Sequence, residues 1–207
     1  MSQLILTARK GTNADLIPDV VKLYIPEGGV VADVTHGKGV FWQQVDVSQF
    51  DFYPSDLKDG TDCRHLPHED ESLDALVLDP PYIYNPKGTV KQSISDPYRV
   101  NETMDLTTTK RVVEFYIEAM EEGWRCLAVG GVMLVKCQDQ IEANKQRWVH
   151  IDLYAWAVSR GMVIEDLFVL VQNGVPASRW PVQRHARKNH SFLWVFRKKN
   201  PTTERTS

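Results

Sequence analysis

The sequence predicts an α/β fold: a mainly parallel sheet with helices on both faces and one antiparallel strand near the C-terminus. Three observations predict it. Short apolar runs alternate with segments whose apolar residues recur at helical spacing, the pattern of strand–helix–strand units. Three acids, Asp33, Asp56 and Asp79, sit at the ends of such runs, where ligands bind in parallel sheets. The last two runs, Phe168 to Val171 and Phe192 to Phe196, have no helix between them, so one of that pair should run against its neighbours.

Each element follows in order. A helix starts near Asn13 or Asp15, either of which can cap it, and shows Leu16, Ile17, Val20, Val21 and Tyr24 on one face. Pro26-Glu27-Gly28-Gly29 ends it. Val30 to Val34 reads as a buried strand, followed by a glycine turn and a short helix from Val40 to Val47. Phe52-Tyr53 is a short strand ending at Asp56, and Ala75 to Leu78 runs straight into Asp79-Pro80-Pro81-Tyr82. A long polar stretch, Ile83 to Thr108, is broken by Pro86, Gly88 and Pro97; loops of that length in compact domains tend to be functional or mobile. Val113, Ile117, Met120 and Trp124 mark a helix, and Gly130-Gly131 leads into the strand Val132 to Val135. Trp148, Ile151, Tyr154, Ala155 and Val158 mark another helix, which stops at Gly161. A basic loop from Gln172 to His190 joins the final two strands.

At 207 residues and 43% hydrophobic, the chain has material for one substantial core, expected to occupy residues 1–200 with a flexible tail at 201–207. No apolar run approaches the roughly 18 residues of a membrane span. The N-terminal residues lack a basic region followed by a long apolar stretch, so no secretory signal is expected. Cys63, Cys126 and Cys137 are odd in number and widely spaced, which argues against a disulfide framework and against a metal site, and fits a reducing cytoplasm. The net charge of −3 does not itself suggest a polyanion ligand. Its distribution does: Arg179, Arg184, Arg187, Lys188, Arg197, Lys198, Lys199 and Arg205 face the single acid Glu204, which reads as a local phosphate-binding surface or as a solvated edge.

Two turns carry the chemistry. In Asp33-Val34-Thr35-His36-Gly37-Lys38-Gly39, the glycines allow close backbone approach to a ligand ahead of a helix N-terminus. A dinucleotide fingerprint would need a third glycine where Val40-Phe41-Trp42 stands, which weakens the alternative of a nicotinamide-dependent oxidoreductase. A phosphate loop would need Ser or Thr after Gly37-Lys38. Asp56 can accept bonds from ribose hydroxyls, and Asp62 from an adenine amino group. In Asp79-Pro80-Pro81-Tyr82, two prolines leave no backbone donors and stiffen the turn. That rigid segment presents a carboxylate, free carbonyl oxygens and an aromatic ring together. Two acceptors, the Asp79 carboxylate and the Pro80 carbonyl, can bind both hydrogens of an exocyclic amino group and free its lone pair, with Tyr82 stacked on the base.

Asp79-Pro80-Pro81-Tyr82 resembles the catalytic motif of the S-adenosylmethionine-dependent DNA amino-methyltransferases that modify adenine N6 or cytosine N4. The Asp33-to-Gly39 turn is similar to their cofactor motif, and Thr12 to Tyr24 to the helix beside the methionine end of the cofactor. Thr35 departs from the pattern, standing where many of the DNA enzymes have phenylalanine. The resemblance spans roughly residues 10–200 and implies a Rossmann-like class I methyltransferase domain. It implies S-adenosylmethionine as cofactor, held by Thr12, Asp33, Thr35, Gly37, Gly39, Asp56, Asp62 and Cys63. It also implies direct methyl transfer to a flipped base, with Asp79, Pro80, Pro81 and Tyr82 catalytic. An aspartate opening the motif favours adenine N6 over cytosine N4. Nucleic acid would meet Lys87, Lys91, Arg179, Trp180, Arg184, Arg187 and Lys188 in the two polar loops. DNA is favoured over RNA because no appended RNA-binding module is present, and a monomer or weak dimer is expected.

Overall fold

A computed structural model describes residues 4–81, 106–174 and 182–199. The elements run β1 (Ala8–Lys10), α1 (Asn13–Tyr24), β2 (Val30–Asp33), β3 (Asp51–Pro54), β4 (Leu73–Leu78), α2 (Thr109–Cys126), β5 (Leu127–Cys137), β6 (Gln140–Glu142), β7 (Lys145–Arg147), α3 (Val149–Ser159), β8 (Val163–Val171) and β9 (His190–Arg197). Seven strands form one sheet in the order β1-β8-β9-β5-β4-β2-β3, and β6 and β7 pair apart from it as a hairpin. β9 is antiparallel to both β5 and β8, and the other pairings of the large sheet are parallel. The expected fold class is therefore the observed one.

The sheet separates two apolar clusters, and the two-residue period of a strand assigns each side chain to one of them. Val31, Ala75, Val77, Val132 and Leu134 point to the side where α1 buries Leu16, Ile17, Val20 and Val21. Ala32, Leu76, Leu78, Met133 and Val135 point to the side packed by α2 and α3. Each fully buried Leu, Ile or Val contributes about 1.5–3 kcal/mol, so these two layers supply the main driving force for the fold. The same alternation has a functional consequence. Continuing each strand by period two puts Asp33, Asp79 and Lys136 on the α1 face, at the carboxyl ends of β2, β4 and β5.

Several expectations need correction. The short helix from Val40 to Val47 is instead two 3-10 turns, Val40–Trp42 and Val47–Gln49. Phe41 and Trp42 are buried there, and Asp46 accepts a bond from the Ser48 N–H at 3.0 Å, so local polar bonding and side-chain burial replace a regular helix. β3 ends at Pro54, two residues before Asp56. The edge strand β1 and the β6–β7 hairpin have no apolar alternation to betray them. β1 pairs with β8, and the hairpin turns at Ala143 and Asn144, both at positive φ.

Both later helices form but turn different faces inward. In α2 the buried stripe is Val112, Phe115, Tyr116, Ala119, Met120 and Gly123, so Met120 alone of the four expected positions is fully covered, while Val113 and Trp124 pack at its margin. Gly123 is there because a Cβ would lie 2.9 Å from Met133 Cε and 3.3 Å from Leu76 Cδ1, so helix and sheet meet closely. In α3 the buried residues are Val149, Leu153 and Ala157, and the expected stripe of Trp148, Ile151, Tyr154 and Val158 is exposed. Val149, Leu153 and Ala157 join the cluster shared with α2 and the sheet, and Trp156 packs at its margin.

Candidate functional site

The site begins with the turn after β2. Asp33 is 2% exposed. Its Oδ1 accepts from the Thr35 N–H at 3.1 Å, and its Oδ2 accepts from Trp42 Nε1 at 2.7 Å. His36 Nδ1 lies 3.2 Å from the same Oδ2, and this bond raises the imidazole above its usual titration range against an opposing effect of burial. Asp33 thus organises the glycine turn from beneath. Gly37 and Gly39 both have positive φ, 55° and 68°. A Cβ on Gly39 would lie 2.9 Å from His36 Nε2, so any side chain there would displace the imidazole as well as strain the positive φ.

Asp56 fastens the turn from the other side. Its Oδ2 accepts from the Gly37 N–H at 2.9 Å, and its Oδ1 accepts from the Lys58 N–H at 3.0 Å. Lys58 Nζ donates in turn to the Gly37 carbonyl. Each carboxylate oxygen of Asp56 retains a second acceptor site.

The strand β4 delivers Asp79 to this same edge. The Asp79 N–H donates to Thr35 Oγ1 at 2.7 Å, which joins the two motif turns directly. The hydroxyl at position 35 performs this join, and phenylalanine could not. The Asp79 carboxylate keeps 19% of its side-chain surface exposed. Among the described residues its Oδ1 has no hydrogen-bond partner. Asn13 Nδ2, on the first turn of α1, reaches Oδ2 at 3.5 Å, the limit of such a contact. Lys136 Nζ stands 3.6 Å from Oδ1. Burial pushes the Asp79 carboxyl up, Lys136 pulls it partly back, and Asp33 adds a smaller upward push. The cleft between these groups is lined by Asn13, Asp33, Thr35, His36, Lys38, Val40, Phe41 and Asp79.

The remaining expected positions divide. Thr12 stands before α1, with its N–H and hydroxyl both donating to Asp15 Oδ2 at 2.7 Å, so its side chain serves the helix start. Asp62 is gripped by Arg64, whose Nε and Nη2 donate to its two oxygens at 3.0, 3.2 and 2.7 Å, and this pairing lowers the carboxyl. Cys63 is buried in the core and its thiol is pushed up to about 12 by desolvation. Among the basic positions, Arg184 is exposed and Arg187 and Lys188 are half-buried. Lys188 Nζ sits 5.7 Å above the Trp148 ring. Pro80 and Pro81 follow Asp79 as expected, while Tyr82, Lys87, Lys91, Arg179 and Trp180 lie outside the described residues.

Sequence reasoning passed over Asn13, Phe41 and above all Lys136. A signal existed for the last: a lysine closing the apolar run Val132 to Val135 is out of place in a buried strand unless something pairs with it. The described residues contain no group of three or more His, Cys, Asp or Glu side chains placed to hold a metal, and no helix long and apolar enough to cross a membrane.

No family model matches the sequence, and no curated protein matches it. Solved structures do. TrmN from Thermus thermophilus superposes with a TM-score of 0.54 at 16% identity over 88% of this chain, which spans 48% of that one. The PH0226 protein from Pyrococcus horikoshii gives 0.54 at 13% identity, covering 90% of this chain and 89% of its own. A third, more distant structure, from Methanosarcina mazei, is described as a SAM-dependent methyltransferase; it gives 0.49 at 10% identity over 87% of this chain and 97% of its own. The strand order and the two structures at a TM-score of 0.54 show that the chain has a Rossmann-like α/β fold.

Proposed function

We propose that this chain is an S-adenosylmethionine-dependent methyltransferase acting on the exocyclic amino group of a nucleobase, adenine N6 in DNA. The observation that carries the reading is the state of Asp79. Among the described residues its Oδ1 is buried at a strand end without a hydrogen-bond donor, Lys136 standing 3.6 Å away, and an acceptor left so costs about 1–3 kcal/mol unless a ligand completes it. An amino group supplies the missing donor. The stiff Pro80-Pro81 turn beside it supports the second acceptor, the Pro80 carbonyl, because two prolines offer no competing backbone donors.

The residues present suit the cofactor. The glycine turn walls the cleft that Asp79 shares, through Thr35, His36 and Lys38, and Asp56 keeps acceptor sites for ribose hydroxyls beside it. Asp33 and Thr35 hold that surface in register with Asp79 through the 3.1 Å and 2.7 Å bonds. S-adenosylmethionine, when bound, supplies an electrophilic methyl group on a sulfonium. Asp79 and the Pro80 carbonyl then bind the amino hydrogens and draw the nitrogen toward tetrahedral geometry, which exposes its lone pair. The N–CH3 bond would form as the sulfonium S–CH3 bond breaks, and the protein's part is positioning, two fixed acceptors and the Asp79 carboxylate that takes the proton the nitrogen sheds. Arg184, Arg187 and Lys188 support a phosphate-facing role for the loop ahead of β9, at the same edge of the sheet. Asp62, engaged by Arg64, supports an adenine contact less well than the sequence suggests.

The test is nucleoside mass spectrometry of DNA and RNA from cells expressing the chain, beside Asp79→Ala. N6-methyladenine in DNA, lost in the variant, is the expected result. Methylation confined to RNA would move the substrate to RNA, and a modified base persisting in Asp79→Ala would sink the mechanism.

A further inference from the structure

Lys136 is 3% exposed and ends β5 on the face that carries Asp33 and Asp79. Its ammonium stands 3.6 Å from Asp79 Oδ1 and 5.9 Å from the centroid of the buried Phe41 ring. Burying an ammonium is costly unless a charge or a π face compensates it. Both compensations are present, and one of them is the carboxylate that would bind substrate. The contact length matters. At 3.6 Å the contact is longer than a hydrogen bond, so the ammonium stabilises the charge while Oδ1 keeps, among the described residues, acceptor capacity for another donor.

We propose that Lys136 is a positioning residue for Asp79: it holds the amine-accepting carboxylate ionised and in place while leaving Oδ1 available to the substrate amino group. This rests on the amino-methyltransferase reading for the identity of the substrate, but the Lys136–Asp79 coupling itself does not. The groups facing Asp79 among the described residues are Lys136 from β5, Asp33 from β2, the uncharged Asn13 from α1 and Thr35 from the β2 turn. Lys136 is the one cation within 4 Å of the Asp79 carboxylate among the described residues, while Lys38 and the titratable His36 line the same cleft farther off. Without Lys136, burial and the neighbouring Asp33 both favour the protonated acid. A protonated Asp79 would offer its own O–H where the substrate needs an acceptor.

The experiment compares wild type, Lys136→Met, Asp79→Asn and the double variant of the full chain. Thermal melts without ligand come first. Burial already raises the folded Asp79 carboxyl, so the ionised form costs stability as pH rises through that raised value. Removing Lys136 deepens the cost. The deficit of Lys136→Met against wild type should therefore grow from pH 5.5 to pH 8.5. In the Asp79→Asn background the same substitution should give a deficit that does not change with pH. A deficit equal in both backgrounds at every pH would overturn the proposal. If Lys136→Met fails to fold and the double variant folds, the coupling stands; if neither folds, the lysine is purely structural and the proposal falls.

Methyl transfer is the second readout. Lys136→Met should move the acid limb of the pH–rate profile to higher pH and recover toward wild type in alkali, losing about tenfold on that limb for each unit it moves. A loss independent of pH would count against the proposal. Absence of transfer by the wild-type chain to either DNA or RNA would refute the enzymatic reading, while the melts would still decide the pair.

Discussion

Thr35→Val isolates the bond that joins the two motif turns. Valine keeps the β-branched shape and volume but removes the hydroxyl that accepts from the Asp79 N–H at 2.7 Å. The donor is partly buried and has two rigid prolines after it, so the turn cannot swing to find water cheaply. An unsatisfied buried donor costs about 1–3 kcal/mol, and a chain of this length shifts its melting temperature by roughly 2–4 °C per kcal/mol. The expected change is thus a fall of about 2–12 °C in thermal unfolding, or an equivalent drop in denaturant midpoint at constant slope. Catalysis should fall further than stability alone explains, because Asp79 would lose its register with the glycine turn; a misplacement of about 1 Å can cost on the order of a hundredfold. Steady-state methyl transfer should show the loss in kcat, with cofactor binding by calorimetry changed much less. An unchanged midpoint together with unchanged kcat would refute the claim that this hydrogen bond couples the turns.

Four further outcomes follow from the same geometry. Gly39→Ala should destabilise the fold by about 1 kcal/mol or more, from positive φ and the close approach of His36, and should weaken S-adenosylmethionine binding in the same calorimetric titration. His36→Asn should flatten the pH dependence of stability: the Asp33 bond raises the folded imidazole, so its contribution is full below pH 6.5 and is lost as pH rises through the raised value. The native protein should resist thiol alkylation at pH 7.5, since Cys63, Cys126 and Cys137 are buried and desolvation pushes the first two thiols up to about 12 and about 11 and the third higher still; rapid labelling before unfolding would contradict this. On α3, Ile151→Lys should change stability by no more than about 0.5 kcal/mol, whereas Leu153→Lys should abolish folding in circular dichroism melts, because only Leu153 faces the sheet.

The α3 pair shows where sequence periodicity stops. Trp148, Ile151, Tyr154 and Val158 have helical spacing and locate the helix, but spacing alone does not say which of two apolar stripes faces inward. That choice is made by the partners in space: Val149, Leu153 and Ala157 share one buried cluster with residues of α2 and the sheet. α2 repeats the lesson through Gly123, whose missing side chain is required by Leu76 and Met133, residues from two different strands. The 3-10 turns after Gly39 and the edge strand β1 were hidden for a related reason. Burial of Phe41 and Trp42 decides the first and pairing with β8 the second, and neither partner is near in sequence.

What the sequence by itself determined is the sheet, its single reversed strand and the two turns at its carboxyl edge. Those follow from local causes: alternating apolar runs, strand lengths, the φ freedom of Gly37 and Gly39, and the rigidity of Pro80-Pro81. What only the tertiary structure decided is how the groups of the site are connected. Thr35 to Asp79 is a separation of 44 residues and Asn13 to Asp79 one of 66, and Lys136 reaches Asp79 from a neighbouring strand. Strand period puts Asp79 and Lys136 on one face once the register Leu78 to Val135 is known, and that register is a property of the paired sheet rather than of either segment. The charge of a buried carboxylate is likewise set by what stands beside it in space, so the sequence could name Asp79 but not the lysine that faces it.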